Sequence, residues 1–267
     1  MNKKILRRTA HHIYAFFCEL GLDVIKTVNF LRGILFYLRD WVKLVLQKGR
    51  NRDFPLSNPY VILDDKFDSA GTMTGHYFHQ DLLIAQRIFH NKPERHIDIG
   101  SRTDGFVAHV ASFRPIEIID IRPIASEVRN ITFQQADLMQ LPKNLVGACD
   151  SISALHAIEH FGLGRYNDPI DYNGHLKALD NIHQILKKGG KLYFSVPMGP
   201  QRIEFNAHRV FSVNYLRKQF DGRYKIDHFS YVDDAGRLHE DISYSKEDAD
   251  QNYSCDYGCA IFELTKL

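Results

Sequence analysis

Two sets of polar residues in this chain have the types and spacing for chemistry. The first is a series of carboxylates, each in or just after an apolar run: Asp98 in His96-Ile-Asp-Ile-Gly-Ser-Arg-Thr-Asp-Gly-Phe106, Asp120 in Glu117-Ile-Ile-Asp-Ile121, and Asp137 in Gln134-Gln-Ala-Asp-Leu138. Gly100 lets the backbone turn tightly after a strand and approach a ligand with no β-carbon in the way. Gly105 would admit close packing of the following helix. Asp120 stands 22 residues after Asp98, at the end of a second strand, where a carboxylate can accept both hydroxyls of a ribose. Asp137 follows a third strand, where a side chain can read an adenine amino group.

The second set is His156-Ala-Ile-Glu-His160, then Arg165, Tyr166 and Asp168, then Phe205-Asn-Ala-His-Arg-Val-Phe211. The first of these formally matches H-x-x-E-H, an inverted zinc-protease pattern. That pattern needs both histidines on one continuous helix, and here a strand precedes it and Phe-Gly-Leu-Gly164 follows. An imidazole beside a carboxylate also suits proton removal from a hydroxyl. His160 is the first candidate base and His208 the second, with Glu159 orienting or charging an imidazole. Arg165, Tyr166 and Asp168 offer hydrogen bonds and a flat ring to an acceptor, and Asn206, His208 and Arg209 would close the opposite side. Packing roles stay open beside these: Arg165 pairing internally, and Arg209 anchoring a loop.

These residues need a frame. After Pro93, short apolar runs alternate with helical patterns, the signal for a doubly wound parallel sheet. Strands are expected over 95–99, 117–121, 131–134, 151–155 and 191–196, and further ones over 224–232 and 258–264. A helix over 77–90 leads in. Another carries Leu176, Leu179, Ile182, Ile185 and Leu186, with Gly189 and Gly190 as its cap. Each polar cluster then falls at a carboxyl edge of the sheet, where ligands of such folds bind.

The order Asp98/Gly100, Asp120, Asp137, Leu155-His-Ala-Ile-Glu-His160 and Leu186-Lys-Lys-Gly-Gly-Lys-Leu-Tyr-Phe-Ser-Val-Pro197 resembles class I S-adenosylmethionine-dependent methyltransferases over roughly residues 76–267. The resemblance implies a Rossmann-like α/β sheet of seven strands, the last antiparallel, with S-adenosyl-L-methionine as cofactor. It implies that Asp98 faces the methionine amino group, Asp120 the ribose and Asp137 the adenine. Gly100, Ser101, Arg102, Gly105, Ile121, Leu138 and His156 complete the expected cofactor contacts, His156 packing over the adenosyl group. Arg102 replaces the usual second glycine of the loop, so it either reshapes the loop or reaches the methionine carboxylate. Within the superfamily, the segments 76–82, 98–106, 156–168 and 205–211 resemble a branch associated with bacterial surface-polysaccharide genes. A dinucleotide oxidoreductase is the rival, since Asp120 could hold an NAD ribose, but the G-x-G-x-x-G loop is missing.

Charge divides the chain. Residues 1–52 carry eleven basic and three acidic side chains, so a leader of +8 precedes a body of −6 within an overall +2. The body's sign argues against RNA as substrate, which calls for a phosphate-tracking surface. In the leader, Arg32, Arg39 and Lys43 gather on one side of a helix. Phe30, Leu31, Ile34, Leu35, Leu38, Trp41, Val42 and Val45 take much of the rest. The charges interrupt any membrane-spanning run. An amphipathic helix at the anionic cytoplasmic surface is one reading; a helical layer on this domain or on a second copy is the other. Residues 53–92 are expected as linker and lead-in helix, and 93–267 as the sheet domain. Cys18, Cys149, Cys255 and Cys259 offer only one close pair, without the four spaced ligands of a zinc site, so no metal is assigned and reduced cytosolic thiols are expected. The spacing of Glu159 and Asp168 neither requires nor excludes a divalent ion between them.

The expected function is O-methylation of a saccharide, lipid-linked in one version, at the cytoplasmic membrane face. The alternative in a different class is a non-catalytic scaffold that recruits a glycosyltransferase through residues 1–52.

Overall fold

Isoleucine crowds the segments after Arg95 because a β-branched side chain packs well on a pleated, buried surface. The computed structural model describes residues 3–63, 65–141 and 143–267, the side chains of 3–8, 11 and 12 apart. In it the apolar runs become β1 His96–Ile99, β2 Ile116–Asp120, β3 Ile131–Gln135, β4 Cys149–Leu155 and β5 Leu186–Met198. A hairpin of β6 Arg202–Glu204 and β7 His208–Val210 follows, then β8 Tyr224–Val232, β9 Leu238–His239 and β10 Gly258–Lys266. The main sheet runs β3-β2-β1-β4-β5-β10-β8-β9, with β1 to β5 parallel and β10 antiparallel to both its neighbours. The chain has the doubly wound fold of the Rossmann-like methyltransferases, extended by the two-residue edge strand β9. An antiparallel strand set between β5 and β8 separates this order from the 3-2-1-4-5-6 sheet of the dinucleotide oxidoreductases.

Side chains alternate between two layers with the period of the strand. Ile97, Ile99, Ile152, Phe194 and Phe262 face one layer, against helices α5 Gly174–Ile185 and α6 Val213–Phe220. Ile116, Ile118, Tyr193 and Ile261 face the other, against α3 His76–Asn91 and the helical stretch Thr103–Val107 that runs into α4 Ala108–Ala111. Each fully buried isoleucine contributes about 1.5–3 kcal/mol. Among the described residues no α-helix joins β2 to β3 or β3 to β4, where only a 3-10 turn at Lys143–Leu145 occurs.

Two expectations shift. Leu186 is extended (φ −75, ψ 133) and pairs with Cys149, so α5 ends at Ile185 and Gly189, at φ 76, turns within the strand run rather than capping a helix. The chain divides into units Met1–Thr72 and Met73–Leu267, which puts the lead-in helix α3 with the sheet.

The smaller unit holds α1 Lys3–Glu19 and α2 Val24–Lys48. Asp23 caps α2, accepting the Lys26 N–H at 3.0 Å and the Tyr14 hydroxyl at 2.9 Å. Gly33 is the buried residue of α2, and a β-carbon there would meet Leu63 Cβ at 2.8 Å. Among the described residues no helix is long and apolar enough to cross a membrane. The basic charge assigned to Lys3, Lys4, Arg7 and Arg8 rests on side chains outside the described set, and Met1 and Asn2 lie outside it altogether.

Candidate functional site

Strand order reverses at β1: the chain passes to β2 on one side and returns to β4 on the other, opening a crevice at the carboxyl ends. A cleft of about 420 Å³ lies there. Gly100, at φ 64, turns the chain out of β1, and a β-carbon on it would stand 3.4 Å from Ala157 Cβ. Ser101, Arg102, Asp120, Ile121, Asp137, Leu138 and His156 all line the cleft, as expected of cofactor contacts, and His160 and Asp168 join them.

Two other expected contacts do not line it. Asp98 is fully buried and accepts the Ser101 N–H at 3.0 Å, the Ser101 hydroxyl at 2.7 Å and the Ser153 hydroxyl at 2.5 Å. Its carboxylate is turned inward as the anchor of the loop, not outward to an amino group. Burial pushes its pKa up to about 6, against the opposing pull of those serines. Gly105 packs behind the loop, where a β-carbon would meet Asp81 Oδ2 at 2.5 Å.

Asp120 is held by a partner that the sequence reading did not name. Arg122 reaches back to it, Nη2 to Oδ2 at 2.7 Å and Nε to Oδ1 at 3.0 Å, while its guanidinium lies 4.3 Å above the Tyr166 ring. Asp137 accepts the Met139 N–H at 2.9 Å. Arg102 stands at the rim, paired with Asp104 at 2.9 Å and lying over Tyr77 at 5.0 Å.

The cleft continues into a second pocket of about 360 Å³ lined by His76, Tyr77, His156, Glu159, His160, Arg165, His208 and Tyr257. All four candidate catalytic residues meet here, and Tyr77, His156 and His160 belong to both spaces. A 3-10 turn, Ile158–His160, places Glu159 and His160, so no protease-like helix carries the two histidines. His156 sits at φ 49 directly after β4, a left-handed conformation costly for a residue with a β-carbon. That bend turns its ring into the pocket, with Nδ1 at 2.7 Å from Glu159 Oε1. Burial opposes charge on both partners, yet Cys259 and then Glu159 raise His156 well above the usual histidine range, and His156 in turn lowers Glu159.

His160 is different. Its Nδ1 donates to the Ala207 carbonyl at 2.6 Å, which leaves Nε2 with a lone pair. Burial lowers its pKa, so the ring is neutral near pH 7 and able to accept a proton. His208 is likewise lowered by burial; its Nε2 lies 3.3 Å from Glu204.

The remaining acceptor candidates hold the loop. Asp168 accepts three backbone N–H groups, from Gly162 at 2.7 Å, Tyr166 at 3.1 Å and Gly164 at 3.2 Å, so it is not free to share an ion with Glu159. Arg209 is buried and donates to the carbonyls of Phe161 at 2.5 Å and Tyr172 at 3.1 Å, its anchoring role. Arg165 donates to Ala207 O at 3.1 Å and borders the pocket. His76, Tyr77 and Tyr257 carried no role in the sequence reading; they come from α3 and from the turn before β10, far apart in the chain.

Fold and cleft together define a doubly wound, Rossmann-like α/β architecture with a ligand-sized crevice at the carboxyl ends of its strands. Residues 115–255 match the model of a family described as "Caenorhabditis protein of unknown function, DUF268", and the chain belongs to that family. No functionally curated protein matches its sequence. Among solved structures it is similar to the [4+2]-cyclase SpnF, at 17% identity over 70% of this chain and 80% of that one, with a TM-score of 0.49. It is also similar to the N-methyltransferase NodS of Bradyrhizobium japonicum in complex with S-adenosyl-L-homocysteine, at 13% identity over 72% and 88%, with a TM-score of 0.48.

Proposed function

We propose that the chain is an S-adenosylmethionine-dependent methyltransferase that acts on a hydroxyl of a saccharide, lipid-linked in the version that also uses the first unit at a membrane surface. The observation that carries the reading is the junction of the two spaces: a cleft bearing Asp120, Asp137 and Gly100 opens, across His156 and His160, into a pocket of imidazoles. The cleft fits the cofactor. Gly100 keeps a β-carbon out of it, Ile121 and Leu138 supply apolar walls for a base, and Asp137 stands beside Leu138 to read an amino group. Asp120 would accept the ribose hydroxyls once Arg122 swings away, and Arg102 stands at the rim for a carboxylate. When bound, S-adenosylmethionine supplies an electrophilic methyl group on a sulfonium.

A sugar hydroxyl is a weak nucleophile, and the chain's part is to orient it and take its proton. His160 Nε2 is the acceptor for that proton, held in the right tautomer by Ala207. Tyr77 and Tyr257 offer ring faces to a pyranose, and Arg165 offers hydrogen bonds.

The test is calorimetry with S-adenosylmethionine on the wild type, Asp120→Ala and Arg122→Ala. Removing a charged hydrogen-bond acceptor should weaken binding by about 1.5–3 kcal/mol, roughly ten- to a hundredfold, and Arg122→Ala should tighten it. No heat from any of the three would sink the cofactor reading. Heat from Arg122→Ala alone would instead favour a scaffold whose cleft is closed by its own arginine. Labelled methyl transfer to cell-envelope glycan extracts then tests the acceptor; label found only in RNA or protein would remove the saccharide.

A further inference from the structure

One cluster at the wall of the second pocket, two of its residues lining the pocket and the third buried, has ligand chemistry that methyl transfer does not use. His76 opens α3, His156 follows β4, and Cys259 is the second residue of β10. Three elements distant in sequence bring one ring nitrogen from each histidine and the Cys259 sulfur within 4.8 Å of one another. His156 is nine-tenths buried at 7% exposure, and its Nε2 has no hydrogen-bond partner. Leaving a buried polar atom unpartnered costs about 1–3 kcal/mol. Its other nitrogen is fixed at 2.7 Å on Glu159 Oε1, and the second oxygen of that buried carboxylate also lacks a partner. Cys259 is wholly buried; its thiol makes long contacts to Gln80 Oε1 and Ala260 O, each at 3.7 Å, and also interacts with the His156 ring.

We propose that His76, His156 and Cys259 bind a divalent transition-metal ion of the zinc type, with Glu159 orienting His156 from behind and an open position facing the pocket. A carboxylate holding the far nitrogen of a histidine is the usual support of a ligating imidazole. Two imidazoles and a thiolate select zinc or cobalt over magnesium or calcium, which take oxygen ligands. Three protein ligands leave a fourth position for water or, on the methyltransferase reading, for the acceptor hydroxyl. Binding releases two protons, one from the Cys259 thiol and one from Nε2 of the charged His156 ring, because each ligand atom needs its lone pair for the ion.

The geometry asks for a modest rearrangement. Tetrahedral ligands at the usual bond lengths stand roughly 3.3–3.8 Å apart, so the three must draw in by about 1 Å. The two imidazole rings are nearly parallel, 9° apart with centroids at 5.2 Å. His76, the less buried of the pair, must therefore turn until its edge meets the same point as Nε2 of His156. The C-x-x-x-C spacing of Cys255 and Cys259 is misleading here, because Cys255 is not among the side chains that converge with His76 and His156.

The test titrates the chelator-treated full chain with Co²⁺ alone and Zn²⁺ alone. One equivalent of Co²⁺ should give a thiolate-to-cobalt charge-transfer band with four-coordinate visible bands, and Zn²⁺ should displace it. Cys259→Ser should lose the charge-transfer band, His76→Ala should weaken binding, and Cys255→Ser should keep both. Glu159→Gln should lower the affinity about 10- to 100-fold. Thermal unfolding of each variant separates loss of the ion from loss of the fold, and His76→Ala, at a partly exposed position, remains informative if Cys259→Ser is unstable. A band that is absent from the wild type, or that survives Cys259→Ser, overturns the site. Calorimetry with S-adenosylmethionine on the same samples keeps this result distinct from failure of the methyltransferase reading.

Discussion

Asp98 is the residue on which the first loop turns, and its burial has a measurable consequence. Its folded pKa, about 6, lies above the ordinary aspartate value. Between the two values the folded state therefore binds more protons than the unfolded one, and stability falls as pH rises. The favourable contribution is complete below about pH 4 and is lost through about pH 6, a change on the order of 3 kcal/mol. Asp98→Asn carries no charge and should lack this component. Urea unfolding at about pH 4 and about pH 7 should show the wild type losing roughly 3 kcal/mol relative to the variant; a constant difference would refute the assignment. The position of Asp98 was legible in the sequence, but its orientation was not. What turns the carboxylate inward is Ser153, whose hydroxyl arrives from β4, 55 residues away. The same limit hid Arg122, because an arginine two residues after an aspartate marks no site by spacing alone, and only the fold brings its guanidinium back onto Asp120. Asp120, Asp137 and His156 were legible as residues of the cleft because each sits at or just after a strand end, a place that local pattern marks.

The element that decides what enters the second pocket is the segment between β4 and α5. Asp168 gathers its backbone N–H groups and Arg209, from β7, holds its carbonyls at Phe161 and Tyr172. Gly162, at φ 76, lies so close to the Asp171 carbonyl that no β-carbon fits. Arg209→Met should remove the clamp at a cost of about 2–4 kcal/mol, the loss of two or more charged hydrogen bonds to partly buried carbonyls. Hydrogen exchange should quicken over residues 161–172 while the amides of β1 and β4 keep their protection. Uniform loss of protection would mean that Arg209 supports the whole sheet instead. The parallel strands themselves were plain in the sequence, since runs such as Ile97 to Ile99 and Ile116 to Ile119 have few other homes than a buried sheet. The end of α5 was not. Leu186 continues the helical spacing of Leu179, Ile182 and Ile185, and only its pairing with Cys149 makes it extended. Edge strand β9 was equally hidden, being two residues long and recruited by β8.

At the scale of the molecule, the first unit presents an exposed apolar stripe among its described residues. Leu31, Leu35, Leu38 and Val42 recur at helical spacing along α2 and are 62%, 72%, 53% and 55% exposed. A stripe of that length on a helix too short in apolar residues to span a bilayer suits either a membrane surface or a second copy of the chain. Charge favours the membrane in our reading. Arg32, Arg39 and Lys43 lie on the same helix, within a leader of net +8. Each basic residue near an anionic surface contributes about 1 kcal/mol, so three should separate anionic from neutral vesicles by about 3 kcal/mol, roughly a hundredfold in affinity. Flotation of the full chain with phosphatidylserine-containing liposomes should therefore succeed at low salt and fade as salt rises. Leu31→Asp together with Leu38→Asp should abolish it, since the charges alone cannot replace the buried stripe. Sedimentation of the same two proteins decides the rival. If the wild type ignores liposomes but forms a dimer that the double variant cannot form, the stripe is a seam between two chains, and the acceptor need not be attached to a lipid at all.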